Sequence, residues 1–150
     1  MVAIKEEYDP SPRKKVRVGV MILLTLLAAQ FVLGVFTNLY ISLPTSSRRG
    51  VFAMGSMMSA TGGGLPLFML HMMLGPLLVI VGIGTLVLAT GSGKRLDLIL
   101  IAAGLFGTLL AGYGGLSFLM GGGSNAASLL MAVGFLAAFS AYFAVLSLRH

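Results

Sequence analysis

The sequence contains no cysteine and very few acidic residues. Asp and Glu together number four among 150 residues, and charged residues make up only 9% of the chain. Without cysteine the chain can form no disulfide or zinc–thiolate site, and it can supply no thiol nucleophile. A soluble domain of this length needs a charged and mixed surface, which so few charged residues cannot provide. The composition therefore excludes an ordinary soluble domain.

Hydrophobic residues dominate the chain instead. They make up 57% of it, and the mean hydropathy is +1.01. Long apolar runs, each near the ~20 residues that cross a bilayer, alternate with polar or glycine-rich segments. We predict an all-α integral membrane four-helix bundle with helices at about 18–43, 65–90, 96–120 and 126–148. Residues 1–17 are predicted to form a cytoplasmic basic tail that precedes the bundle domain, residues 18–150.

Lysine and arginine are distributed unequally between the two ends of this predicted bundle. On the side of the two termini lie Lys5, Arg13, Lys14, Lys15, Arg17, Lys94, Arg95 and Arg149, eight of the ten basic residues. Arg48 and Arg49 lie on the other side. Because basic residues that flank membrane helices concentrate in the cytoplasm, we predict that both termini are cytoplasmic (N-in, C-in). The predicted location is the cell membrane, with several crossings, and no nucleic-acid partner is predicted.

Small residues recur at helical spacing in the second and third predicted helices. Such rows let helix backbones approach closely, which matters in lipid because apolar burial gives little drive for helix association. The residues predicted to pack helices together are Gly75, Gly82, Gly104, Gly107, Ala111, Gly112 and Gly115. Pro76 is predicted to kink the second helix, and Ser124 or Asn125 to cap the fourth.

Within the predicted spans, His71 is the exception to an almost complete lack of ionisable side chains. Polar residues at a similar depth, or two turns deeper, are predicted to converge with it: Gln30, Thr37, Asn38, Tyr40, Tyr113 and Ser117. In one reading His71 donates a hydrogen bond that joins two helices. In the other it is the axial ligand of a haem b iron, since neutral imidazole is the usual ligand. The fourth predicted helix has no histidine, so the second ligand of a haem would be a methionine, water or a group of a partner subunit, or the iron would have no second ligand.

Methionine clusters around His71 and in the loop that precedes its helix. Six of the ten methionines are Met54, Met57, Met58, Met69, Met72 and Met73. Thioether and imidazole together suit Cu(I), which makes an outward-facing copper site a second alternative. Methionine also fills irregular apolar space without binding any metal.

The sequence resembles two known families through short patterns of residues. The run Gln30-Phe31-Val32-Leu33-Gly34 followed by Thr37 resembles the first helix of a haem A synthase half-repeat, and that resemblance implies a four-helix plan with His71 as a haem ligand. A closer resemblance is to uncharacterised four-helix membrane proteins of actinobacteria and their relatives. It is carried by Asn38-Leu39-Tyr40, Pro44, His71, Gly115-Leu116-Ser117-Phe118 and Ser124-Asn125-Ala126-Ala127-Ser128-Leu129-Leu130-Met131. It implies a fold and no particular activity.

The predicted spans carry no carboxylate, lysine or arginine at mid-depth. Proton relays, ion-coupled transporters and hydrolytic sites need such groups, so the pattern argues against these classes. The polar residues 1–17 cannot bury themselves, which indicates a partner outside the bundle. We expect a non-catalytic subunit or accessory protein of a larger membrane complex, respiratory or otherwise energy-transducing, with other integral membrane subunits and the lipid bilayer as partners.

Overall fold

The computed structural model describes residues 11–40, 65–120 and 123–148 of the chain, and those ranges contain four α-helices and no β-strand. The helices are α1 (Ser11–Tyr40), α2 (Leu65–Thr90), α3 (Arg95–Met120) and α4 (Asn125–Ser147). Each contains a membrane-length apolar stretch of 23 to 26 residues. The chain is therefore an all-α four-helix bundle of a multi-pass membrane protein, which confirms the predicted fold class. The direction in which it faces stays a prediction.

The helix bounds agree with the sequence prediction except at α1. Helix α2 has the predicted bounds, and α3 and α4 each begin one residue earlier than predicted. Helix α1 begins at Ser11, so its predicted start at residue 18 is corrected, and part of the predicted tail is helical. The reason is that Arg and Lys favour helices, while Val16, among them, is fully buried against the bundle. Residues 41–43 lie outside the described ranges.

The helices form a ring in which α1 contacts α2 and α4, and α3 contacts the same two neighbours. Helices α1 and α2 are antiparallel, because Gly19 lies against Thr85 at one end and Gly34 lies against His71 at the other. We call the end that holds Lys14 and the α2–α3 turn the basic end, and the opposite end the far end. Most of the fully buried side chains lie in the half nearer the basic end: Val16, Val20, Leu23, Leu78, Ile101, Tyr142 and Val145.

Helices α3 and α4 pack backbone against backbone. A Cβ built on Gly107 would lie 2.6 Å from the backbone nitrogen of Ala138 and 2.8 Å from the carbonyl oxygen of Gly134. A Cβ built on Gly134 would in turn lie 2.5 Å from the backbone nitrogen of Ala111. No side chain fits at either glycine without separating the helices, so these residues set the distance between the two helix axes.

The small residues that pack α3 differ from the predicted rows. Gly104, Gly107 and Gly114 are buried, and Gly104 accommodates the ring of Tyr142. Gly112 was predicted to pack, yet it is exposed and a Cβ there would meet nothing within 4 Å. The physical reason is that a strict spacing of four drifts by about 40° per step on a helix of 3.6 residues per turn. Spacings of three and four must alternate to stay on one face.

Three predicted packing residues remain, and only one of them, Gly82, lies in close contact with a neighbouring helix. Gly82 is buried, and a Cβ there would lie 2.9 Å from Cδ1 of Leu105. Gly75 has only the side-chain nitrogen of Gln30 nearby, at 3.9 Å, and Gly115 has only the sulfur of Met131, at 3.5 Å. Gly82 therefore belongs to a tight helix contact, whereas Gly75 and Gly115 leave room beside their helices.

The helix ends follow local sequence chemistry. Ser124 is the N-cap of α4, and its side-chain oxygen accepts a hydrogen bond from the backbone nitrogen of Ala127 at 3.2 Å. The short turn between α2 and α3 contains Gly93 at φ 72°, a left-handed conformation that favours glycine. Asp97 lies in the first turn of α3, where a negative charge complements the helix dipole, and it is buried.

Candidate functional site around His71

The His71 ring lies against α1 near the far end of the bundle. It is half-buried in the second turn of α2, and its Cε1 atom would be 3.1 Å from a Cβ built on Gly34. The ring nitrogens Nδ1 and Nε2 would lie 3.7 and 3.9 Å from the same position. The absence of a side chain at Gly34 is therefore what leaves room for the imidazole between α1 and α2.

A side-chain hydrogen bond joins α1 to α2 beside the ring. The Nε2 atom of Gln30 donates to the backbone carbonyl oxygen of His71 at 3.1 Å. The next carbonyl, that of Met72, cannot receive the usual helical hydrogen bond, because Pro76 four residues later has no N–H. Gln30 thus binds the α2 backbone where proline interrupts the helix, and the missing side chain of Gly75 gives it access.

Among the residues that the structure describes, three buried polar atoms in this region have no hydrogen-bond partner: Oε1 of Gln30, Oγ1 of Thr37 and Nδ1 of His71. Gln30 and Thr37 are two turns apart on one face of α1, so both project toward the same side of the helix. Buried polar groups in hydrocarbon are costly unless they are paired. These three atoms are accordingly the polar positions that a water molecule or a small polar ligand would satisfy.

The other members of the predicted polar cluster do not all reach His71. Tyr113 is 65% exposed on the outer face of α3, in line with Phe106 and Leu109, so its predicted convergence on His71 was wrong. The position along the helix was the basis of that prediction, and it does not determine which face of α3 carries the residue. Ser117 is half-buried and makes no hydrogen bond to His71. The side chains of Asn38 and Tyr40 lie outside the part of the chain that the structure describes.

The described residues fit haem poorly at this position. The Cε1 edge of the imidazole faces Gly34 of α1, and both ring nitrogens lie within 4 Å of the Cβ position of that glycine, so α1 leaves little room for a haem on this side of the ring. Among the described residues, no group of three or more His, Cys, Asp or Glu side chains could hold a metal ion. The copper alternative also requires Met54, Met57 and Met58, which lie outside the described ranges.

A second buried polar group, which was not predicted from the sequence, lies nearer the basic end. The hydroxyl of Tyr142 is buried beside Thr108 without a hydrogen bond of ordinary geometry. The Thr108 hydroxyl donates to the carbonyl of Gly104 within its own helix, at 2.9 Å. The ring of Tyr142 fills the space left by Gly104, so the tyrosine mainly packs α3 against α4. The sequence signal was the small residue at position 104 itself, whose partner on α4 could not be named.

Comparisons of the chain with protein-family models, with curated proteins and with solved structures find no match. The resemblances to haem A synthase half-repeats and to actinobacterial four-helix proteins therefore stay predictions. The sequence and the structure together identify the chain as a multi-pass membrane protein with four helices.

Proposed function

We propose that the chain is a non-catalytic subunit or accessory protein of a larger membrane complex. In this role it binds other integral membrane subunits through a defined part of its lipid-facing surface, and its interior serves to hold that surface in shape. The observation that carries the proposal is a row of phenylalanine rings along α1 and α4, half-buried in its middle and exposed at both ends.

The phenylalanine row crosses from α1 to α4 and then follows α4. Phe31 stacks on Phe135 with ring centroids 5.0 Å apart, and the row continues to Phe139 at 5.9 Å and to Phe143 at 6.3 Å. The three α4 rings are spaced four residues apart, so each ring contacts the next, and the row winds around the helix by about 40° per step. Phe31 and Phe143, at the two ends of the row, are each 54% exposed. The row is thus an ordered ridge that neighbouring molecules can contact.

A ridge of this kind suits a protein partner for a physical reason. In a bilayer, apolar surface gains little by leaving lipid, so helices associate through close van der Waals packing. Stacked rings have few rotatable bonds and hold one another in place, so they present a fixed shape at low entropic cost. A partner helix with a complementary groove would gain contacts that mobile lipid chains cannot hold.

Photo-crosslinking at the row tests the proposal. We expect benzoylphenylalanine introduced at Phe143 to crosslink in native membranes to one other membrane polypeptide, in high yield and with a single product mass. The matched control is the same probe at Phe106, which is 67% exposed on α3 and outside the row. The same products from both positions, or lipid adducts alone from Phe143, would contradict the proposal.

The haem and copper alternatives are separated by an optical spectrum of the purified protein. A haem protein shows a Soret band that is lost in His71→Ala, whereas a Cu(I) site shows no visible band and requires metal analysis. The packing of the ring against Gly34 supports neither the haem nor the copper alternative. A protein without a Soret band and without bound copper is the outcome that agrees with the structural role proposed for His71.

A further inference from the structure

We propose that the groove between α1 and α2 at the basic end binds one anionic phospholipid. The proposal concerns a different surface from the phenylalanine row and does not depend on a protein partner. The lipid chains would occupy apolar grooves on both sides of the Val18–Ile22 ridge, and the headgroup would lie at Lys14 and Lys15.

The first groove lies between the two helices and has a volume of about 540 Å³. Its lining residues are Lys14, Lys15, Val18, Gly19, Ile22, Val81, Gly84, Thr85 and Leu88. Two glycines form part of its floor, and a Cβ built on Gly84 would meet nothing within 4 Å. The Thr85 hydroxyl donates to the carbonyl of Val81 at 2.8 Å, so the floor offers no unpaired hydroxyl. The groove is therefore suited to a hydrocarbon chain.

A second groove of about 370 Å³ adjoins the first along α1. It is lined by Val18, Met21, Ile22, Thr25 and Leu26, so Val18 and Ile22 separate the two grooves. The only hydroxyl in it, that of Thr25, donates to the carbonyl of Met21 at 3.0 Å. Two parallel apolar grooves on either side of one ridge match a lipid with two acyl chains.

The length of the paired grooves matches one leaflet of a bilayer. From Lys14 to Leu26 the helix rises by about 18 Å at ~1.5 Å per residue. Half of a ~30 Å hydrocarbon core is about 15 Å. A lipid with its headgroup at the lysines would therefore end its chains near the bilayer midplane, as a lipid of that leaflet does.

The charge at the mouth of the groove selects an anionic headgroup. Lys14 and Lys15 are both exposed and lie at the end of the groove nearest the membrane surface. Basic residues next to interhelical grooves attract phosphate-containing headgroups, and anionic lipids gain most because a net negative charge remains on them. The ammonium groups can approach a phosphate without leaving water, while the chains fill the apolar walls.

Native mass spectrometry of the purified full chain tests this inference. The protein in detergent is mixed with equal amounts of phosphatidylglycerol and phosphatidylcholine that carry identical chains. We expect one phosphatidylglycerol to be retained in preference to phosphatidylcholine. Replacing both lysines, Lys14→Gln with Lys15→Gln, should lower that preference roughly 30-fold, because each surface lysine contributes a factor of about five. The control Lys94→Gln with Arg95→Gln removes the same charge outside the groove and should leave the preference unchanged.

A second pair of variants tests the groove without changing any charge. Gly84→Leu should fill the groove and reduce the retention of both lipids, whereas Gly112→Leu, at an equally open glycine on α3, should not. Glycerol 3-phosphate, which lacks acyl chains, should not displace the bound lipid. Equal losses from both charge variants would show unspecific attraction and overturn the proposal. Full lipid retention in a folded Gly84→Leu protein would overturn it as well.

Discussion

At the scale of single residues, His71 is held by its neighbours on α1 in two separate ways. Its ring packs beside Gly34, and its backbone carbonyl accepts the hydrogen bond from Gln30. The two contacts can be separated by mutation, because a substitution at position 71 removes the ring and keeps the carbonyl. A histidine that stands alone in a membrane helix suggests a ligand site. Here Gly34 lies opposite the ring, so His71 can equally be a residue that packs α2 against α1.

We expect His71→Ala to lower the free energy of unfolding by only roughly 1 kcal/mol, because the half-buried ring is lost and the Gln30 bond remains. Gly34→Leu should cost roughly 2 kcal/mol or more, since the new side chain must displace the ring or separate α1 from α2. Unfolding of the purified protein by denaturing detergent, followed by circular dichroism, measures both values. A larger loss from His71→Ala than from Gly34→Leu would show that the imidazole does more than pack.

At the scale of helices, the sequence located the elements better than their faces. Proline and glycine breaks gave the bounds of α2, α3 and α4 to within one residue. The start of α1 was missed because charged residues at a membrane surface can continue a helix, whereas hydropathy ends where the charge begins. The packing face of α3 was only partly predictable. In a soluble helix polar residues mark the outer face, but here Phe106 and Leu109 are exposed to lipid and every face is apolar.

In the candidate site, too, the sequence predicted the position of residues along the helices better than the faces on which they lie. The depth of Gln30, Thr37 and His71 could be read from their positions in the spans. The role of Gly34 could not, because the pairing of α1 with α2 decides which residue lies opposite the ring. Tyr113 shows the complementary error, since it was predicted to face the cluster and its side chain is instead exposed on the outer face of α3.

The contact between α3 and α4 gives a direct test at this scale. Gly107→Ala should lower the free energy of unfolding by about 3 kcal/mol or more, because the methyl group would collide with the backbone of Ala138 and Gly134. Gly112→Ala, in the same helix and at an open position, should be neutral or stabilising by up to about 1 kcal/mol, from helix propensity alone. The same denaturing-detergent titration compares the two. Equal effects would mean that α3 and α4 do not pack through this face.

At the scale of the whole molecule, both proposals rest on the way in which the bundle crosses the membrane. Helix α1 is about 45 Å long at ~1.5 Å per residue, so it exceeds a ~30 Å hydrocarbon core and extends beyond it or tilts. Lys14 and Lys15 lie at the basic end of this helix and line the groove in which the phospholipid is proposed to bind. The phenylalanine row lies within the span, where another membrane helix can reach it.

The most direct measurement of this arrangement is the accessibility of single introduced cysteines, because the natural chain has none. Ser92 in the α2–α3 turn is unsuitable, since it is buried and its hydroxyl donates to the carbonyl of Ala89. Lys94, directly before α3, and Asn125, the first residue of α4, are both exposed, and α3 lies between them in the chain. We expect a membrane-impermeant maleimide to label Asn125→Cys in intact cells and to label Lys94→Cys only after the membrane is opened. Labelling of both positions from one side would show that α3 does not cross, and the reversed pattern would contradict the predicted cytoplasmic termini.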